Sequence, residues 1–243
     1  MVINVAFAAE IFFPLIAIIS GIKLRVNPYR VVTVGTLYAV FGAFITVLTF
    51  YMFGNSLGAS LDASWQDAMK ILSSVDYGES VDKETMLAAM NEAYDSFVTT
   101  IPATFFMWGA VVSYIEYLII SNHQRKKGTG ALKMTPVRDF NLSKGAVMGW
   151  CLMCIAAALL NLASDSAVVT SVYQNTYALF RMVFAYQGMS LLAFACDRRG
   201  WSRAVWIVVT ILLLLTGFGT AFIYFAGLID GIFGLKGRFV NRK

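Results

Sequence analysis

Charge is scarce in this chain. Only 14% of its 243 residues are Asp, Glu, Lys or Arg, where a soluble domain carries about a quarter. Hydrophobic residues make up 58%. That composition excludes an ordinary water-soluble domain. Motifs that carry chemistry are missing too. The sequence has no Walker A, HExxH or GxSxG pattern, no paired intramembrane aspartates and no histidine cluster, His123 being its only histidine. Hydrolysis and ATP-driven work by this chain alone are not expected, nor is any enzymatic activity. The three cysteines are Cys151, Cys154 and Cys196. The first two have the CxxC form but sit in an apolar run with no second Cys or His pair. They read as small apolar helix residues, and no metal or cofactor is expected. Met1 to Asn4 carry no positive charge ahead of the first apolar run, so no cleavable signal peptide is expected.

The charges that are present are sorted. Eight of the fourteen acidic residues fall between Gly54 and Ser96, a stretch with only Lys70 and Lys83 as basic residues. The remaining basic residues gather in short clusters between apolar runs. The net charge of +5 therefore marks membrane topology rather than a nucleic-acid patch, and no nucleic-acid partner is expected.

A membrane-crossing helix needs about 20 apolar residues. Six runs qualify: 2–22, 29–53, 97–120, 145–163, 167–196 and 204–233. The expected fold class is all-α, a polytopic membrane helix bundle forming one domain over residues 1–243. Basic residues mark cytoplasmic loops. Lys23, Arg25 and Arg30 follow the first run; Arg125, Lys126, Lys127, Lys133, Arg138 and Lys144 follow the third; Arg198, Arg199 and Arg203 follow the fifth. Loops 23–30, 121–144 and 197–203 are thus expected inside a bacterial plasma membrane. The N-terminus and the acidic insert 54–96 are expected outside, with Asp165 at a tight outer turn.

The tail breaks the pattern. Lys236, Arg238, Arg242 and Lys243 fall outside if the sixth run crosses once. A re-entrant hairpin at Gly217 to Gly219 would return them inside, but about thirty residues are too few for two full crossings. A single crossing is the expectation.

Within the acidic insert, Trp65, Met69 and Leu72 recur at helical spacing, as do Met86, Met90 and Phe97, with Leu87 and Tyr94 beside them. Tyr77 and Gly78 separate the runs. Two amphipathic helices are predicted. The second starts near Ser80, with Asp82 and Glu84 favouring its positive end, and continues into the third span at Ile101 and Pro102. Their acidic polar faces are unlike the basic ones of interfacial helices, which places them over the outer mouth of the bundle.

Charges inside the apolar runs are functional candidates by default. Glu10 lies midway along the first run, Glu116 in the cytoplasmic third of the third, and Arg181 near the middle of the fifth. Glu10 or Glu116 can supply the partner that Arg181 needs; a structural ion pair or snorkelling to an interface is the alternative. Asn161, Gln174 and Asn175 lie toward the outer ends of adjacent runs and can form the floor of an outward-facing pocket, although amides in membrane bundles also join helices. Gln187 is a weaker signal of the same kind. Gly42 with Ala43, Gly109 with Ala110, and Gly145 with Gly149 offer small surfaces for close helix contact.

Three places carry a family resemblance. They are the basic loop Asn122 to Lys144 with Pro136 and Phe140; the run Tyr186, Gln187 and Gly188 through Cys196 to Asp197, Arg198, Arg199 and Gly200, then Ser202 and Arg203; and Gly227 to Asp230 before a basic tail. With the amphipathic insert, they resemble the YybS-like family of bacterial membrane proteins, a domain family of unknown function. That family is distantly similar to the substrate-binding S components of energy-coupling-factor transporters. The resemblance implies a compact six-helix bundle that captures a small molecule from outside and works with ATPase and coupling-subunit partners on separate chains.

Two functions follow as expectations. One is a small-solute binding or transport subunit embedded in the lipid bilayer, with a pocket below the acidic helices lined by Asn161, Gln174, Asn175, Glu10 and Arg181. The other is a non-transporting scaffold of envelope or division machinery, its basic loops binding cytoplasmic partners or anionic lipid.

Overall fold

The computed structural model describes residues 2–54, 56–75, 82–164 and 166–240, and all regular elements among them are helical. The turn at Tyr77 and Gly78, the helix start at Ser80, the turn at Asp165 and the tail residues Arg242 and Lys243 lie outside the described residues. The chain divides into two compact units, Met1–Met134 and Thr135–Lys243.

The first unit holds α1 (Val2–Lys23), α2 (Pro28–Met52), α3 (Leu57–Ser74), α4 (Lys83–Thr99) and α5 (Ile101–Lys126). Helices α1, α2 and α5 pack against one another. The α1–α2 connection is tight. Val26 N–H donates to the Gly21 carbonyl at 3.0 Å, Arg25 takes the left-handed conformation with φ 53°, and Asn27 caps α2 ahead of Pro28. Ile18, Ile22, Val31 and Tyr117 bury one another there, covered by Ala131 and Met134 of the loop after α5. Tyr117 O–H ties that loop down by donating to the Leu132 carbonyl at 2.8 Å. Helix α4 starts at Asp82, whose carboxylate accepts from the backbone of Glu84 and Thr85. The Thr85 hydroxyl and backbone, then Glu84, hold that carboxyl below the ordinary range. Only Thr100 separates α4 from α5.

The second unit begins with a single 3-10 turn, Val137–Asp139. It continues with α6 (Lys144–Ala163), α7 (Ala167–Arg198), α8 (Arg203–Leu214), α9 (Gly217–Phe233) and α10 (Leu235–Val240). Helix α7 is its spine, touching α6, α8, α9 and the 3-10 turn. Val147, Phe180, Phe184 and Tyr224 form its apolar core.

Helices α2, α5, α6 and α7 are long and apolar enough to cross a membrane, and α8 with α9 makes a fifth if the bent pair is one span. The sequence expectation of six includes α1, a 22-residue helix carrying Glu10 and Pro14.

The last apolar run, expected to cross once, is broken into two helices. Helices α8 and α9 meet at 118°, and the break falls at Leu215 and Thr216, just before the expected Gly217. Thr216 Oγ1 caps α9 by accepting from Gly219 N–H at 3.0 Å. Helix α9 then ends at Gly234, left-handed at φ 62°. Beyond it, Lys236 reaches the Phe140 carbonyl. The start of the tail thus lies at the same end of the unit as the basic segment after Thr135. With 12 and 17 residues, the two helices form either one broken span or a re-entrant hairpin.

Candidate functional site

A buried polar cluster is built where α7, α9 and α10 meet the segment before α6. Gln187, Ser190 and Asp230 are fully or almost fully buried, and Lys236 is buried beside them. Gln187 Nε2 donates to Asp230 Oδ2 at 2.5 Å and to Asn141 Oδ1 at 2.9 Å, while its Oε1 accepts from Leu142 N–H at 3.1 Å. Asp230 Oδ1 accepts from Lys236 N–H at 3.1 Å. The Lys236 ammonium lies 3.5 Å from Asp230 Oδ2 and donates to Ser190 Oγ at 2.8 Å and to the Phe140 carbonyl. Burial pushes that ammonium below its ordinary range, and Asp230 pulls it part of the way back. At the surface nearby, Arg138 pairs with Asp197.

Close backbone contact makes the cluster geometrically accessible. A Cβ on Gly227 would stand 1.8 Å from the Phe184 carbonyl oxygen, and one on Gly188 would stand 1.9 Å from that of Ile223. Only glycine at both positions lets α9 lie directly on α7. Gly145 and Gly149, which offer the more familiar spacing, have nothing within 4 Å of an added Cβ.

The first unit holds a different feature. Glu10 is completely buried, on the α1 face that also buries Pro14, Ile18 and Ile22. Neither of its carboxyl oxygens has a hydrogen-bond partner among the described residues. The same holds for Ser113 Oγ, also fully buried, and for both oxygens of Glu116, which is partly exposed.

A third feature lies between α3 and α4. Leu61, Trp65, Met90, Tyr94 and Phe97 line a cleft of about 490 Å³. The Trp65 and Tyr94 rings stack with centroids 4.7 Å apart and planes inclined by 6°. Both polar tips are held. Trp65 Nε1–H donates to Asn91 Oδ1 at 3.0 Å, and Tyr94 O–H donates to Asp62 Oδ1 at 2.7 Å. Partial burial, the hydrogen bond to Asp62, and the negative charges of Asp62 and Asp95 push the Tyr94 phenol up to about 12.

The remaining sequence candidates lie in the second unit. Asn161 is near the end of α6, and Gln174 and Asn175 are the eighth and ninth residues of α7. Asn161 Oδ1 and Gln174 Oε1 are buried without a partner among the described residues. Asn175 Nδ2 donates to its own helix at the Ser171 carbonyl, 2.8 Å away. Arg181 is exposed, its guanidinium 5.7 Å from the Tyr177 ring centroid. Glu10 and Glu116 lie in the first unit and Arg181 in the second. Asp230 and Lys236 were missed as site residues. Their signal was present: Gln187 with Gly188 and Gly227 with Asp230 are two of the segments that carry the family resemblance, and the structure brings them together.

Long apolar helices with buried polar groups define a helical membrane protein. More particularly, the chain belongs to the family of predicted membrane proteins DUF2232, whose model matches residues 2–231. No curated protein and no solved structure matches it.

Proposed function

We propose that the chain is a small-solute binding subunit of the bacterial plasma membrane, working with partner proteins and catalysing no reaction itself. The observation that carries this reading is the α3–α4 cleft. Its volume lies in the range of small-molecule sites, its walls are apolar and aromatic, and Asp62 and Asp95 set negative charge beside the stacked rings. That combination favours a cation with an apolar body, held over the ring faces and drawn in by the carboxylates. Placement of α3 and α4 on the outer side follows from the basic loops elsewhere in the chain. The YybS-like resemblance, with its distant similarity to S components, agrees with capture from outside, and ATPase and coupling subunits are the partners it suggests.

The test is calorimetric titration of the purified full chain with quaternary ammonium solutes bearing apolar groups, against neutral isosteres. Saturable binding that prefers the cation, and weakens about five- to thirtyfold in Trp65→Ala, supports the reading. Equal affinity for the isostere, or no effect of Trp65→Ala, overturns it.

A scaffold of envelope or division machinery is the second reading. The shallow seating of Trp65 and Phe97, both still partly open to solvent, favours it, since such a cleft also accepts a partner's side chain. Gentle purification from native membrane decides between them. Co-purifying ATPase subunits support solute uptake, and envelope-synthesis proteins without solute binding support the scaffold.

A further inference from the structure

Glu10 stands in a notch made by small residues of the facing helices. A Cβ placed on Gly109 of α5 would lie 3.8 Å from Glu10 Oε1, 2.8 Å from Ala39 Cβ and 3.6 Å from the Thr36 carbonyl oxygen of α2. Ser113 is one turn further along α5, about 6 Å from Gly109 by helix geometry. Its Oγ lies 3.0 Å from where a Gly35 Cβ would stand. The α1–α2–α5 seam therefore holds a carboxyl group and a hydroxyl group, both fully buried and both without a protein partner among the described residues.

No salt bridge among the described residues pairs a cation with the carboxyl. Helix α2 brings Tyr29, Arg30, Tyr38 and Tyr51; α5 brings Tyr114, Glu116, Tyr117 and, in its last turn, His123, Arg125 and Lys126; α3 brings Asp62, Asp67 and Lys70. None of these groups pairs with Glu10. An isolated ionised carboxylate in such a place costs far more than a neutral acid, and the group escapes that cost by binding a proton. A structural acid normally shows hydrogen bonds that use both of its oxygens. Glu10 shows none among the described residues, which leaves both available to a small ligand.

We propose that Glu10 is a proton-binding site of the first unit. The carboxylate takes up one proton to become the neutral acid and returns it to the medium as pH rises. The site stands on the α1–α2–α5 seam and is independent of the α3–α4 cleft, so either can fail without the other.

The test treats the full chain in membrane vesicles with dicyclohexylcarbodiimide, which adds to protonated buried carboxyls, and locates adducts by peptide mass spectrometry. The expected result is an adduct on Glu10 whose rate falls about tenfold per pH unit above the group's titration. A neutral-acid carbonyl band should be present in the infrared spectrum of the wild type and absent from Glu10→Gln. An unlabelled Glu10 at every pH, a labelling rate indifferent to pH, or a missing wild-type band overturns the proposal. Protection by sodium at fixed pH overturns the assignment to a proton. The wild-type measurements decide the matter even if Glu10→Gln fails to fold.

Discussion

Gln187 donates to Asp230 across the contact of α7 and α9, 2.5 Å between heavy atoms, with both side chains buried. A short donor–acceptor distance between two helices requires their backbones to approach closely, and Gly188 and Gly227 sit beside the two partners. Asp230 in turn holds the first residues of α10 through the Lys236 amide and ammonium. The glycines therefore set the helix distance, the distance allows the hydrogen bond, and the carboxylate places the tail.

Gly227→Ala tests the first link. The added methyl would meet the Phe184 carbonyl oxygen at 1.8 Å, an atom of backbone that cannot rotate away. A loss of about 3 kcal/mol is expected, the upper end of overpacking penalties. Gly149→Ala, with open space around it, should leave stability nearly unchanged. Thermal unfolding midpoints in detergent, compared between the two variants, check the difference.

Asp230→Asn tests the second. An amide oxygen still accepts from Gln187, but the Lys236 ammonium loses its charge partner while remaining buried. Removing one member of a buried pair costs about 3–5 kcal/mol. The double variant Asp230→Asn with Lys236→Met removes the stranded charge and should recover much of that loss, so the two single effects will not add. The wild type carries a matching pH dependence. Lys236 titrates below its ordinary value of 10.5 in the fold, so between the two values the unfolded chain binds more protons. Stability should therefore rise with pH across that window, and the rise should vanish in Lys236→Met.

Much of this molecule was legible because membrane helices announce themselves by length and apolar content. The spans at α2, α5, α6 and α7 and the helical spacing of Trp65 and Met90 with Tyr94 could be read directly. What could not be read is how sharply the sixth run bends. Gly217 to Gly219 marked a weak point in the sixth run, but glycines alone do not give the 118° angle between α8 and α9. Arg181 was the opposite case. An arginine in an apolar run suggests a buried partner, yet its helix turns it to an exposed face over Tyr177, and the buried charges among the described residues of that unit are Asp230 and Lys236.

The stacked pair Trp65 and Tyr94 gives a prediction about α3 and α4. The neutral phenol donates to Asp62, and the Tyr94 group titrates at about 12 against an ordinary 10. Its contribution is full below pH 10 and is lost as pH rises through about 12. Tyr94→Phe removes the donor and keeps the ring stack, so the alkaline transition monitored by Trp65 fluorescence should disappear. Tyr94→Ala should also red-shift that fluorescence as water reaches the indole.

The bend between α8 and α9 makes the last prediction, about sidedness. In the second unit, Lys236 contacts Phe140 and Ser190, and Ser190 itself donates to the Phe140 carbonyl at 2.8 Å. The tail after Gly234 and the segment leading into α6 are therefore at one end of α7. A single crossing by residues 204–233 would set Lys236 and Arg238 opposite the other basic loops, against the usual distribution of positive charge. A re-entrant hairpin of α8 and α9 would remove that conflict. Single cysteines replacing Lys144 and Arg238, both exposed, in a background without the native cysteines, should react with a membrane-impermeant maleimide from the same side. That side should be the cytoplasmic one, with labelling in inverted vesicles and none in intact cells. Opposite labelling of the two positions would mean that α9 completes a crossing and that the contact of Lys236 with Phe140 does not form in the membrane.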